Sequence, residues 1–215
     1  QLDFDAPEGE AGARADILKA EAFGIVEAVD EALALYDHVA SLEIQPTTAE
    51  AKYKAVHLLM DAGELTPAQA VQDLEQLRYS WCCGEFEFNL LKDLGELSIA
   101  AGNYSLALGE FRQIVAVFPD RAKEAGIAQK MNQLFKDLFL GGVAEGLPPV
   151  SALALYYEFR ELTPVGDDGD EMVRRLADRL VEVDLLGQAA DLLEYQVAFR
   201  LKGEERTLVA ARLAV

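Results

Sequence analysis

The sequence predicts an all-α protein, an array of antiparallel helix pairs, and three observations predict it. Glycine and proline recur at helix-length intervals along the 215 residues. Between them, apolar residues return at three-and-four spacing. Runs such as QIVAVF, which in isolation suggest strands, continue a helical stripe of Tyr104, Ala107, Leu108, Phe111, Ile114, Val115 and Phe118.

Taken in order, residues 1–13 (QLDFDAPEGEAGA) lack apolar periodicity and are expected to be an acidic, flexible leader. Residues 14–45 are expected to form one long acidic helix, or two broken near Gly24, with Ile17, Leu18, Ile25, Val29, Leu33, Tyr36, Val39 and Leu42 as its stripe. Pro46 ends it, and Thr48 is placed to cap the next helix. Helical pairs then fill 48–215. The first pairs 48–62 with 66–79, where Thr66 is an N-cap and Pro67 takes the first helical position. The second pairs 85–101 with 104–118. The third pairs 122–140 with 149–162 across the longer loop GGVAEGLPP, the fourth pairs 170–183 with 186–202, and a fifth begins at 204. In GDDGDE, residues 166–171, the carboxylates lack the alternating ligands and distant Glu of a calcium loop. Asp170 is therefore expected to cap the following helix, with Glu171 favoured by its dipole.

The stretch LGELSIAAGNYSLALGEFRQIVAVFP shows why a hairpin forms. Two antiparallel helices in close contact need small residues where their backbones approach, and Gly95 and Ala107 supply them. Gly102 stands where the first helix stops, a position that favours positive φ. Tyr104 and Phe111 are expected to fill space between this pair and the next. Pro119 lacks an amide donor and blocks continuation.

Leu91, Leu94, Gly95, Gly102, Tyr104, Ala107, Leu108, Phe111 and Pro119 together resemble the tetratricopeptide repeat, a helical hairpin of about 34 residues. Ser98 replaces the usual aromatic, and Ile114 a usual small residue. Residues 170–203 are similar through Ala177, Leu180, Leu186, Ala189, Ala190 and Leu193. YKAVHLLMDAGELTPAQAVQDLEQL resembles the motif with residues inserted at its turn, and the third pair departs furthest. The resemblance implies a right-handed superhelical solenoid over 48–215 whose first helices line a concave groove. Groove-facing positions would be Asn89, Lys92, Glu96 and Ile99 in the second pair, and Glu171, Arg174, Asp178 and Val181 in the fourth. Lys92 matches a lysine with which some members of the family grip a C-terminal carboxylate. Glu96 stands where an asparagine is expected, which disfavours that ligand.

Net charge is -19, and residues 1–51 hold 12 acidic against 2 basic residues. Such a chain repels phosphate backbones and anionic lipid, which excludes nucleic-acid and polybasic-type membrane binding and leaves basic protein partners. No apolar run approaches the roughly 20 residues needed to cross a bilayer. Starting at Gln1 and ending in RTLVAARLAV, which reads as the middle of an amphipathic helix, the chain is expected to be part of a longer protein. Its Ala-, Leu- and Arg-rich character looks bacterial, and the compartment, cytoplasm or periplasm, stays open.

Reactive groups are sparse. Cys82 and Cys83 are adjacent, without the separated partners of a disulfide framework or the ligand spacing of a zinc site. Trp81, among Tyr79, Phe86 and Phe88, is expected to pack between hairpins or to anchor a partner. His57 and Asp61 stand four apart as an exposed pair with no nucleophile tied to them, and His38 reads as a surface or satisfied core residue. GGVAEG is far from any strand and is read as a loop. The expectation is therefore no enzyme and no cofactor or metal. The leading function is a scaffold binding a peptide or partner helix. The second reading is a module for homo-oligomerisation or self-inhibition through residues 1–45.

Overall fold

The computed structural model describes residues 9–80 and 84–199. Trp81, Cys82, Cys83, most of the expected leader and the pair expected from 204 onward lie outside the described residues. Among those described, the chain is all-helical, without strands, and forms two compact units divided after Asp120. No described helix is long and apolar enough to cross a membrane.

In the first unit, consecutive helices pack neighbour on neighbour from α1 to α6. The opening pair is α1 (Gly9–Ile25) and α2 (Val29–Ser41), so helix begins inside the expected leader and breaks just after Gly24. Gly24 itself stays within α1, where a Cβ would make only ordinary contact with Leu58 Cδ1, at 3.5 Å. Ala13, Ile17 and Ala20 of α1 pack with Ala32, Tyr36 and Val39 of α2 and with Ala51 of α3 (Thr47–Asp61). Leu18 and Ile25, expected in this stripe, are 65% and 83% exposed, because α2 and α3 cover only one side of α1. Glu27, in the α1–α2 turn, has a left-handed φ of 61°, and Glu43, before α3, one of 54°.

Thr48 does not cap α3. The helix starts earlier, after Pro46, and the Thr47 hydroxyl donates back to the Ile44 carbonyl at 2.7 Å. Thr66 does cap α4 (Pro67–Leu77): its hydroxyl accepts from the Gln69 amide while the Gln69 side chain reaches back to the Thr66 amide. Val56, Ala70, Val71, Leu74 and Leu77 then meet Leu90 and Leu94 of α5 (Gly84–Ala100).

The hairpin of α5 and α6 (Tyr104–Val117) carries the tightest contact. An added Cβ on Gly95 would lie 2.4 Å from Phe111 Cε1, so the fully buried ring sits directly on the α5 backbone. Phe111 thus fills space within its own hairpin. Gly102 has φ of 77°, and Asn103 caps α6 by accepting from the Leu106 amide at 3.3 Å. Ala107 is fully buried, and Tyr104 is half-buried. Glu110, only 3% exposed, forms an ion pair with Arg78 at the end of α4. Burial pushes the Glu110 carboxyl above its usual range, against the pull of Arg78.

Pro119 ends α6 and also opens α7 (Pro119–Glu124), its fixed φ suiting a first helical position. The single helix expected over 122–140 is two, because Gly126 takes a left-handed φ of 65° between α7 and α8 (Ile127–Phe139). In the second unit, α10 (Asp167–Glu182) packs on α8, on α9 (Pro149–Glu158) and on α11 (Leu186–Phe199). Phe135, Phe139 and Tyr156 form an aromatic cluster between α8 and α9, with ring centroids 4.8 to 6.1 Å apart. Asp170 is not the cap of α10. The turn falls at Gly166, with φ of 90°, and Asp167, Asp168 and Asp170 occupy the first turn, where the dipole favours them. Asp184, between α10 and α11, is a third left-handed acidic residue, at φ of 62°.

Two arginines of α10 organise the long GGVAEGLPP loop. Arg179 donates to the carbonyls of Ala144 (2.6 Å), Glu145 (3.3 Å) and Leu147 (2.5 Å), and Arg175 donates to that of Leu140 (2.7 Å). The Leu140, Glu145 and Leu147 oxygens stand at or just past the ends of α8 and a single turn of 3-10 helix, while that of Ala144 also accepts from the Leu147 amide at 3.0 Å.

Two stability outcomes follow from this packing. Gly95→Leu should lose roughly 3 kcal/mol or more to overpacking on Phe111, whereas Lys92→Ala should stay within about 0.5 kcal/mol. Urea unfolding of the two variants checks the difference. Arg179→Lys keeps the charge but cannot fork to three carbonyls, and should cost about 2 kcal/mol on unfolding of the second unit.

Candidate functional site: the face shared by α3 and α5

On α3, Tyr53 and His57 are one turn apart, so both project toward α5. There the Asp93 carboxylate accepts from the Tyr53 hydroxyl and lies 3.0 Å from His57 Nε2, the same Oδ2 serving both. The rings of Tyr53 and His57 meet edge to face with centroids 4.5 Å apart, and Phe86 meets Tyr53 edge to face at 5.4 Å. Partner and geometry differ from expectation, since His57 engages Asp93 rather than standing as an exposed pair with Asp61. The reason is that α5 delivers a carboxylate to the face His57 occupies.

Burial raises the Asp93 pKa, but hydrogen bonds from His57 and Tyr53, with the positive charge of Lys92, outweigh it and hold the carboxyl below its usual range. Burial, followed by the hydrogen bond to Asp93, drives the Tyr53 phenol well above its ordinary value. Tyr36 is pushed up to about 12 by burial and by Glu21 and Glu50. Near neutral pH both phenols therefore stay protonated, and Tyr53 remains a donor.

Beside this network lies an open groove of about 620 Å³, with Tyr36, Tyr53 and Leu58 as its apolar walls and Glu21, Lys54 and Asp61 at its edge. Lys54 is held by an ion pair with Glu21 and lies 3.9 Å from Glu50. Next along α5, Asn89, Lys92, Glu96 and Ile99 are all half-buried, and Lys92 Nζ lies 3.7 Å from Glu96. This ion pair turns the lysine toward its own helix rather than leaving it poised for a carboxylate ligand.

The α10 set stands in the other unit. Arg174 is exposed and 3.0 Å from Glu171; Asp178 is half-buried beside Arg175 and Arg179 in a pocket of about 530 Å³; Val181 is exposed. Sequence reasoning placed Arg174 and Asp178 at a site but missed Arg175 and Arg179, whose partners are backbone carbonyls and leave no motif. It also missed Asp93, although Tyr53 and His57 at one-turn spacing signal a face awaiting an acceptor. His38 is at the surface.

No protein-family profile matches the chain, and no curated protein matches it. The reading therefore rests on geometry. His57 and Asp93 share a hydrogen bond, and among the described residues the groove side chains beside them are phenols held protonated, carboxylates, the apolar Ile25 and Leu58, and a lysine paired with Glu21. The arrangement can tie α3 to α5 and present a mixed polar and aromatic surface.

The pH dependence has a defined sign. Because the folded Asp93 pKa lies below its ordinary 3.8, its contribution is fully present above that value and is lost as pH falls through the lower folded value. Asp93→Asn should therefore be less stable than the parent at neutral pH, with the gap closing below about pH 4. Urea titrations at a series of pH values measure the gap directly.

Proposed function

We propose that the chain is a protein-interaction module whose helix pairs stack in the manner of tetratricopeptide repeats. In this reading the first helices of successive pairs, α3 and α5, offer a face that grips a peptide or partner helix. The observation that carries it is the Tyr53–Asp93–His57 network. It fixes two successive first helices side by side and leaves Asn89, Lys92, Glu96 and Ile99 half-buried along the same strip. Rigid helices holding a shallow strip of mixed polarity suit an extended or helical ligand better than a small molecule. Arg174 and Asp178 would offer a face of the same kind, by itself, in the second unit. The -19 net charge favours a basic protein partner over nucleic acid. No cofactor or metal enters this reading, and a bacterial origin belongs to it only as an impression of composition.

Site-specific photo-cross-linking tests it in cells making the protein. A photoreactive residue at Asn89 or Ile99 should trap one enriched protein, and the same probe at the exposed Val165 should not. Identical background adducts from all three positions would refute the assignment.

A further inference from the structure

α1 is apolar on two sides, and only one is covered. Ala13, Ile17 and Ala20 are buried against α2 and α3. About 100° round the helix runs a second seam, Ala11, Ala15, Leu18, Ala22 and Ile25, with the alternating four-and-three spacing by which one helix receives another. It is largely open: Leu18 and Ile25 expose most of their surface, and Val26 continues the patch. Ile25 also lines the open groove walled by Tyr36 and Leu58, so the seam is continuous with that groove.

The charges around the seam select the occupant. Arg14 and Lys19, the Arg and Lys side chains of α1 and α2, are held within α1 by Glu10 and Asp16 at 2.9 and 2.8 Å. Just past Ile25, Glu27 in the α1–α2 turn and Asp30 and Glu31 in the first turn of α2 have no ion-pair partner among the described residues. An apolar strip in so negative a field attracts a cationic ligand and repels acidic peptides, anionic lipid and another copy of this chain, which carries the same -19.

We infer that the Leu18–Ile25 seam and its adjoining groove are a docking surface for a cationic amphipathic helix of a partner protein. That helix would lay an apolar stripe on Leu18, Ala22 and Ile25, and its lysines or arginines would meet the unpaired carboxylates. The inference rests on the chain being a protein-binding module, and it gives that module a second contact face, apart from the strip on α5.

The probe is a fluorescent Leu/Lys peptide of about five helical turns with leucine at three-and-four spacing, titrated into the intact chain by anisotropy. Its controls are a scrambled isomer of identical charge and a Leu/Glu counterpart. The amphipathic cationic peptide should bind saturably, and more weakly as salt is raised from about 0.05 to 0.2 M, while neither control binds. Leu18→Ser and Ile25→Ser should each weaken binding about tenfold or more. Both sites are exposed, so melting should be unchanged. Equal binding of the scrambled peptide, or parent-like binding by both variants, overturns the inference. So does a dimer seen by light scattering that Ile25→Ser dissolves, since a second copy would then own the seam. Cross-linking from Asn89 reports on the α5 strip separately, so failure at the seam is distinguishable from failure of the module reading.

Discussion

The seat of Phe111 on Gly95 is the contact on which the α5–α6 hairpin depends. Without a Cβ at Gly95, the two helices approach until a whole phenyl ring is enclosed against backbone. That closeness carries Leu108 and Ile114 into the interior, and it draws Glu110 inside as well. A carboxylate in such surroundings requires a counter-charge, because a buried unpaired ion is costly. Arg78, at the end of α4, supplies it and thereby joins one hairpin to the next. The same register of α5 turns Asp93 toward α3, so the network at the candidate site is set by a glycine on the helix that carries it.

Much of this fold was legible because its determinants are local. Thr66 followed by Pro67, Gly102 at a helix end and small residues at a crossing act within a turn or two of chain, and the sequence displays them directly. Helix starts were less legible where two caps compete. Thr48 yielded to a start after Pro46, and Asp170 to the turn at Gly166, because a permissive glycine or an upstream carbonyl acts before the polar side chain can. Gly126 hid its role too, since a single left-handed residue splits α7 from α8 without disturbing the apolar period. Least visible were the long-range pairings. Asp93 with His57 and Arg179 with the loop carbonyls join residues more than 30 positions apart, and nothing in their spacing announces them.

Electrostatics divides the labour between the faces of the first unit. At the α3–α5 face charges are consumed internally: Asp93 by His57 and Tyr53, Lys92 by Glu96, Lys54 by Glu21. In the α1–α2 turn and the first turn of α2, Glu27, Asp30 and Glu31 stand without ion-pair partners among the described residues. Amphipathic periodicity alone could not separate these cases, because Leu18 and Ile17 are adjacent in sequence and both belong to apolar stripes. Which stripe is covered is decided by the position of α2, a tertiary fact.

The three left-handed acidic residues carry one more implication. Glu27, Glu43 and Asp184 follow helix C-termini, where glycine would sit without steric cost and where a negative side chain meets the negative end of the dipole. Each joint is thus held in shape by the helices it connects, not by its own preference. The corners of this molecule are followers, and untapped stability lies in them: chemistry better suited to the bend could firm the scaffold while leaving both faces untouched.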